Sequence, residues 1–482
     1  MSVSDRIRQI EDEIDGDICK LKVWQHPKAT TLTDLMQTYR DAIECLFVTH
    51  LFLRLHPNAT DLPGDAVGTL FAQENRFRAG ILWALKWASE FCSDDGVANN
   101  PTADELHELL SLGASYETLV DTLKYAQQGR AVLRVDEASK TLFCYEGEQA
   151  TNLDPSIVYH QRITTPAMRQ VTLTEDDDQI TSRWTAGDYR RMLRKLADDA
   201  SGKENEITVD PAYLAPLGQN TISIPQPTIV WLDRPSHAPD CHVFDDLVLP
   251  PAPNLTLKYK LVALLDNPII MIGQRYCALS SDIKAVSQSD DHMLRLAARV
   301  DERQYTIANG LRESRMIKRC KDSLEQCSRP WSVKSNVHYN NPSQEADILA
   351  ERDSDSLVFE LKSTLRPETP WEVFKRNEDI IKGIGQAACL VARGVARHGF
   401  VVTDGYRGDY ICWAKALGDA IPIGTLYDLE DLANNPTQAV STLKSRVGIV
   451  TDGFGSRERM PDREVTLAGW TLRLIDGEAP DS

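Results

Sequence analysis

The sequence predicts a multidomain protein of α and mixed α/β parts: a helical N-terminal domain (1–129), a mixed α+β middle domain (130–290) and a C-terminal αβββαβ core with an extension (291–482). Three observations predict it. Helical periodicity dominates as far as about Gln128. Alternation and turn chemistry begin at Arg130, and from Asp291 a helix is followed by three strands, a helix and a further strand. The length agrees, since 482 residues exceed one core and domains average roughly 150 residues.

In the N-terminal part, Thr33-Asp34 reads as the cap of a helix running through Leu55, and Phe77 to Phe91 carries apolar residues at three- and four-residue spacing. Pro101-Thr102-Ala103-Asp104 opens another helix, and Ser115 precedes one more. The runs Arg130 to Asp136 and Thr141 to Tyr145, joined by Glu137-Ala-Ser-Lys140, read as a hairpin. The middle domain then offers an acidic loop at Glu175-Asp-Asp-Asp178, a basic helix at Tyr189 to Lys195, and strand-like runs at Pro227 to Leu232 and Leu257 to Leu265. His237-Ala-Pro-Asp-Cys-His242 collects metal-capable side chains, but a proline-interrupted loop without a second ligand cluster reads as surface.

In the C-terminal part the expected elements are a helix from His292 to Gln326, strands at Trp331–Tyr339, Glu345–Ala350 and Leu357–Ser363, a helix at Pro370–Ala396 and a strand at Gly399–Thr403.

Composition excludes several classes. The N-terminus has no apolar leader, and the most apolar helical stretch, about Cys45 to Leu55, is broken by His50 and Arg54, so neither export nor membrane insertion is expected. Ten cysteines without a CxxC pair suit reduced thiols and a cytoplasmic protein. The net charge of −18 argues against a nucleic-acid partner for the chain as a whole. Its distribution reverses that for one region: Asp301 to Tyr410 holds 17 basic and 17 acidic residues, so the remaining 36 of 53 basic and 54 of 71 acidic residues carry the whole excess.

Within this neutral region lie the residues that suggest chemistry. Glu345 and Asp347 are two apart on one expected strand, and Glu360 and Lys362 two apart on the next. Paired as a hairpin, the strands bring Asp347 and Glu360 together on one face, a hard-oxygen site suited to Mg²⁺ or Mn²⁺. The ammonium of Lys362 beside them can hold the attacking water and offset charge building on a phosphorane-like transition state. Leu357, Val358, Phe359 and Leu361 make the strand core-like, and charges on such a strand require a reason.

Gln344-Glu-Ala-Asp-Ile-Leu349 followed by Val358-Phe-Glu-Leu-Lys362 resembles the D…(D/E)xK signature of the restriction-endonuclease-like, or PD-(D/E)xK, nuclease superfamily. The resemblance implies a restriction-endonuclease-like core with Asp347, Glu360 and the Leu361 carbonyl as metal ligands and Lys362 as the catalytic ammonium. Glu313, in Gly310-Leu-Arg-Glu313, resembles the acidic residue many members place on their first core helix and would be a further metal ligand. Gln386, in Lys382-Gly-Ile-Gly-Gln386, resembles the glutamine several subfamilies add to the site. Ala346 stands where the family name has proline, and Leu390 where some members have tyrosine.

The implied activity is metal-dependent phosphodiester hydrolysis leaving a 5′-phosphate, on nucleic acid, DNA ahead of RNA. Arg312, Arg315, Arg319 and Lys375 are the expected backbone contacts. The large accessory regions suggest, by analogy, bacterial anti-phage defence or repair, with homo-oligomerisation through the helical domain. Two alternatives stay open: a catalytically silent nuclease-fold module that binds nucleic acid or protein, and an ordinary solvated Glu-x-Lys stripe with no site at all.

Overall fold

The structure, a computed structural model, describes residues 3–55, 80–94, 99–127, 131–146, 172–204, 206–208, 223–249, 267–287, 290–339, 344–363, 370–404, 421–429, 434–435, 464–467 and 469–476. The chain divides into two compact units of mixed α and β structure. One comprises 1–164, 188–288 and 458–482, the other 165–187 and 289–457.

The first unit begins with α1 (Val3–Ile18), α2 (Lys28–Leu55), a helical stretch over 80–91 and α3 (Ala103–Gln127). Helix α2 starts five residues before the Thr33 expected to cap it, because the Thr33 hydroxyl donates back to the Ala29 carbonyl, 2.7 Å away, as a helix-interior threonine does. Ser115 likewise lies inside α3 and starts no second helix. At Thr102 the capping chemistry is present, with the Glu105 carboxylate accepting from the Thr102 backbone N–H at 2.9 Å and the Thr102 hydroxyl accepting from the Glu105 N–H at 3.3 Å.

Strands β1 (Ala131–Asp136) and β2 (Thr141–Glu146) form the expected hairpin. Helix α4 (Ala186–Ser201) contains the basic run expected at Tyr189 to Lys195. Strands β3 (Glu206–Thr208) and β4 (Ser223–Pro225) pair with each other. Strand β5 (Ile229–Leu232), helix α5 (Asp240–Leu247), strands β6 (Ile270–Ile272) and β7 (Arg275–Leu279) and helix α6 (Ser280–Ser287) follow, with β5, β7 and β6 in one sheet. The strand expected at Leu257 to Leu265 lies outside the described residues.

The second unit carries α7 (Asp290–Val300), α8 (Glu302–Glu325), β8 (Ser332–Tyr339), β9 (Gln344–Arg352), β10 (Asp355–Lys362), α9 (Pro370–Ala392), β11 (His398–Thr403) and β12 (Ile423–Thr425). The single helix expected over 292–326 is two, because Asp301 caps the second. Its carboxylate accepts from the Gln304 N–H at 3.2 Å and from the Ser182 N–H at 2.7 Å, so the chain breaks at a residue whose side chain competes for backbone donors.

The sheet order is β12-β11-β10-β9-β8. β8, β9 and β10 run antiparallel, while β10, β11 and β12 run parallel. One face packs on α8, where Met316, Cys320 and Leu324 meet Ile348, Ala350, Leu357, Phe359, Phe400 and Val402. The other packs on α9, where Ile380, Ile384, Ala387 and Leu390 meet Leu349, Val358 and Val401. With both faces covered, a charged side chain on a central strand must find a partner inside the protein.

The last two strands, β13 (Glu464–Leu467) and β14 (Trp470–Asp476), expected as an extension of the C-terminal part, sit in the first unit. β14 runs parallel to β2 from Thr471↔Thr141 to Asp476↔Glu146 and completes a sheet ordered β1-β2-β14-β13. The Trp470 indole N–H donates to Glu13 of α1 at 3.0 Å. Among the described residues, no helix is long and apolar enough to cross a membrane.

Candidate active site

The site is built where β9 and β10 stop pairing. Their ladder reaches Phe359↔Ile348, and the next position would set Glu360 opposite Asp347. On the other side of β9, the pairs Ser335↔Ile348 and Val337↔Ala346 bracket Asn336, which has φ 52°. A left-handed residue, which asparagine tolerates, interrupts the ladder there. Asp347 is thus unpaired toward both neighbours, and its carboxylate turns to β10, accepting from the Leu361 N–H at 2.7 Å. The strict alternation expected of β9 slips at this point: Ala346 joins the same core as Leu349, although Ile348 packs on the opposite face.

On β10, Glu360 is 1 % exposed. Its Oε2 accepts from the Lys362 ammonium at 3.5 Å, and its Oε1 is buried without a hydrogen-bond partner among the described residues. Burial first, and then the neighbouring charge of Asp347, pushes the Glu360 carboxyl up to about 7 from 4.5, against the pull of Lys362. Burial also raises Asp347, partly offset by the Leu361 N–H and by Lys362. The charge of Asp347 raises Glu360 and Lys362 lowers both carboxyls, so the two acids share one counter-charge. The negative charge of Glu345, exposed on β9, bears on both as a lesser cause.

Lys362 donates to Gln386 Oε1 on α9 at 3.4 Å as well as to Glu360. Gln386 is anchored in turn, since its carbonyl accepts from the Gln344 side-chain amide at 2.8 Å. The lysine stem crosses α9 at Gly383, where a Cβ would fall 2.8 Å from Lys362 Cε. Gly385, two residues on, has open space. Either glycine replaced by alanine stabilises the helix by about 0.5–1 kcal/mol. Only Gly383→Ala moves the ammonium, so any activity that uses Lys362 is expected to fall in Gly383→Ala alone when both variants are assayed in parallel.

The other expected site residues fare differently. Glu313 is exposed on α8, where it accepts from Asn309 at 3.0 Å, and no hydrogen bond or ion pair ties it to Asp347, Glu360 or Lys362. The residue of α8 near Asp347 is Cys320, whose thiol is pushed up by burial and then by the Asp347 charge. Glu345 therefore joins the acidic pair electrostatically where Glu313 does not. Its signal was its position two residues before Asp347 on the same strand.

Of the four basic residues expected to meet a nucleic-acid backbone, Arg312 is buried and donates to the buried Asp404 at 3.0 Å. Arg315 is bound bidentately by Asp178, with Glu175 at 3.3 Å. Both guanidiniums serve the fold, which corrects the expectation. Arg319 is exposed on α8, and the side chain of Lys375 on α9 lies outside the described residues. The His237–His242 segment leads into α5, with Asp240 held by Arg191 at 3.0 Å. Among the described residues, no group of three or more His, Cys, Asp and Glu side chains is arranged around a common point.

No family model and no curated protein matches the chain. A solved structure titled "Crystal structure of protein VC1899 from Vibrio cholerae" is similar at 13% sequence identity over 68% of this chain and 73% of that one, with a TM-score of 0.21, a superposition that carries no argument about fold or function.

Proposed function

We propose that the second unit is a metal-dependent phosphodiesterase acting on nucleic acid, DNA ahead of RNA, with its site at Asp347, Glu360 and Lys362. The observation that carries this reading is the orphaned Oε1 of Glu360, a buried carboxylate oxygen beside a second carboxylate and an ammonium. Leaving such an atom unpaired costs about 1–3 kcal/mol, and a divalent cation would satisfy it. The order of elements α8-β8-β9-β10-α9-β11 supports a restriction-endonuclease-like core.

The donor set fits Mg²⁺ or Mn²⁺: two carboxylates, Asp347 and Glu360, with the Leu361 carbonyl, are hard oxygen ligands. Bound there, the ion would supply Lewis acidity and charge neutralisation at the phosphate. Lys362, held between Glu360 and Gln386, donates an N–H to the attacking water and fixes its position. Gln386 keeps the ammonium from collapsing wholly onto Glu360. In the hydrolysis, one P–O bond forms to the water oxygen and the P–O bond to the 3′ oxygen breaks. One water proton ends on that oxygen and the other on the new 5′-phosphate, from which it passes to solvent. By analogy, the cellular setting we propose is cytoplasmic defence or repair, with the first unit sensing a trigger or assembling copies.

The test is cleavage of supercoiled plasmid, linear duplex, single-stranded DNA and RNA with Mg²⁺ or Mn²⁺. Cutting that requires the metal supports the reading; a folded protein inert on all four substrates overturns it in favour of a binding module. Metal binding also carries a pH signature. The ion must displace the Glu360 proton, so affinity is expected to rise about tenfold per pH unit below 7 and to level off above it. Titration calorimetry between pH 6 and 8 measures this, and a flat profile removes Glu360 from the ligand set.

A further inference from the structure

Thr403 is 0 % exposed, and its hydroxyl is buried without a hydrogen-bond partner among the described residues. It ends β11 in direct register with Lys362 on β10, one parallel pair beyond Leu361↔Val402. Paired residues of parallel strands share a face. That face is the α9 side, because Val401, two residues earlier, packs in the α9 core and the Lys362 stem lies against Gly383. Lys362 has three ammonium protons and gives two of them, to Glu360 and Gln386. Lys362, with an N–H beyond the two it gives, and Thr403 therefore stand side by side on one face of adjacent strands at their carboxyl ends, the place where open α/β sheets gather ligands.

We infer that Thr403 and Lys362 together seat the attacking water of the reaction proposed above, an inference that rests on that reading. The water oxygen accepts from Lys362, and one water O–H donates to Thr403 Oγ. This leaves a lone pair of the water unbound and fixes the direction in which it points. A bridging water, which needs two to four polar partners, would find two of them in Lys362 and Thr403. Thr403 thereby becomes a catalytic residue through contact with the reacting oxygen.

The test compares Thr403→Val, which keeps the shape and removes the hydroxyl, with Thr403→Ser, which restores it. Thr403→Val is expected to lower kcat about 10–100-fold with KM within about twofold, at an unchanged or raised Tm, and Thr403→Ser to recover most of the loss. A crystal structure of the wild type with Ca²⁺ is expected to show a water within hydrogen-bond reach of both Lys362 Nζ and Thr403 Oγ, absent from the valine variant. Wild-type cleavage with an undiminished valine variant overturns the inference and leaves the hydrolase reading standing, as does a dry Thr403 hydroxyl in the crystal. A wild type inert on every substrate overturns the hydrolase reading, and with it the catalytic role of any water found there.

Discussion

On the proposed reading, Glu360→Gln is expected to abolish metal-dependent cleavage, with rates falling by about 10³-fold or more, and at the same time to make the metal-free protein more stable at pH 8. Both effects come from the same burial. The folded-state carboxyl sits at about 7, above its ordinary 4.5. Its contribution to stability is therefore complete below pH 4.5 and is lost as the pH rises through 7, because the native state holds a proton that the unfolded chain releases. An amide of the same shape carries no charge to bury, so the gain at pH 8 is on the order of 3 kcal/mol, and the stability profile between pH 5 and 8 flattens. Urea melts across that range together with the plasmid assay read both. Lys362→Ala is expected to lower the rate comparably in the same assay, but it removes a cation beside Glu360 and so destabilises at pH 8. A variant that gains stability while losing activity is the mark of a group retained for its chemistry. A Glu360→Gln protein that cuts normally would end the case for the site.

Arg312→Ala destabilises the second unit by about 3–5 kcal/mol, because it leaves the Asp404 carboxylate, 0 % exposed, without its guanidinium at the carboxyl end of β11. Asp404 also accepts from the Ser363 hydroxyl at 3.1 Å, which links the residue after Lys362 to the residue after Thr403. Its loss therefore loosens the strand ends that set the lysine in place. Adding Asp404→Asn to Arg312→Ala removes the buried charge that Arg312 had offset and is expected to return part of the stability, a recovery that denaturant melts of the single and double variants would show. Equal melts for wild type and Arg312→Ala would mean the pair is solvated.

What the sequence disclosed about the site followed from local pattern. Glu360 and Lys362 share a strand face by simple alternation, and the apolar residues around them marked the strand as central. The kink at Asp347 did not show, since it depends on Asn336 adopting a left-handed conformation across the ladder, in a strand whose residues suggest nothing unusual. Arg312 was misread as a solvent-facing contact, yet its place was legible. Ala308, Arg312, Met316, Cys320 and Leu324 recur at every fourth position and form the buried row of α8. The pattern said buried; the partner, 92 residues away, could not be foreseen. Arg315 was unreadable in the same way, its acceptor Asp178 being 137 residues off in a loop that reads as merely acidic. Thr403 carried no signal of its own, because a threonine at the end of an apolar strand is ordinary until its register against Lys362 is known.

The parallel pairing of β14 with β2 has a consequence for how the chain comes into being. A ribosome releases residues 131–146 more than three hundred residues before the strand that joins them. Until Asp476 emerges, β2 has β1 on one side and an open edge on the other, the kind of edge that invites pairing with another chain. Residues 165–187 and 289–457, which make up the second unit, have all been synthesised before the last strands are. Synthesis therefore closes the first unit last. A chain stopped short of residue 464 would carry the complete Asp347–Glu360–Lys362 cluster and an unfinished sheet, and such a fragment is expected to aggregate through β2.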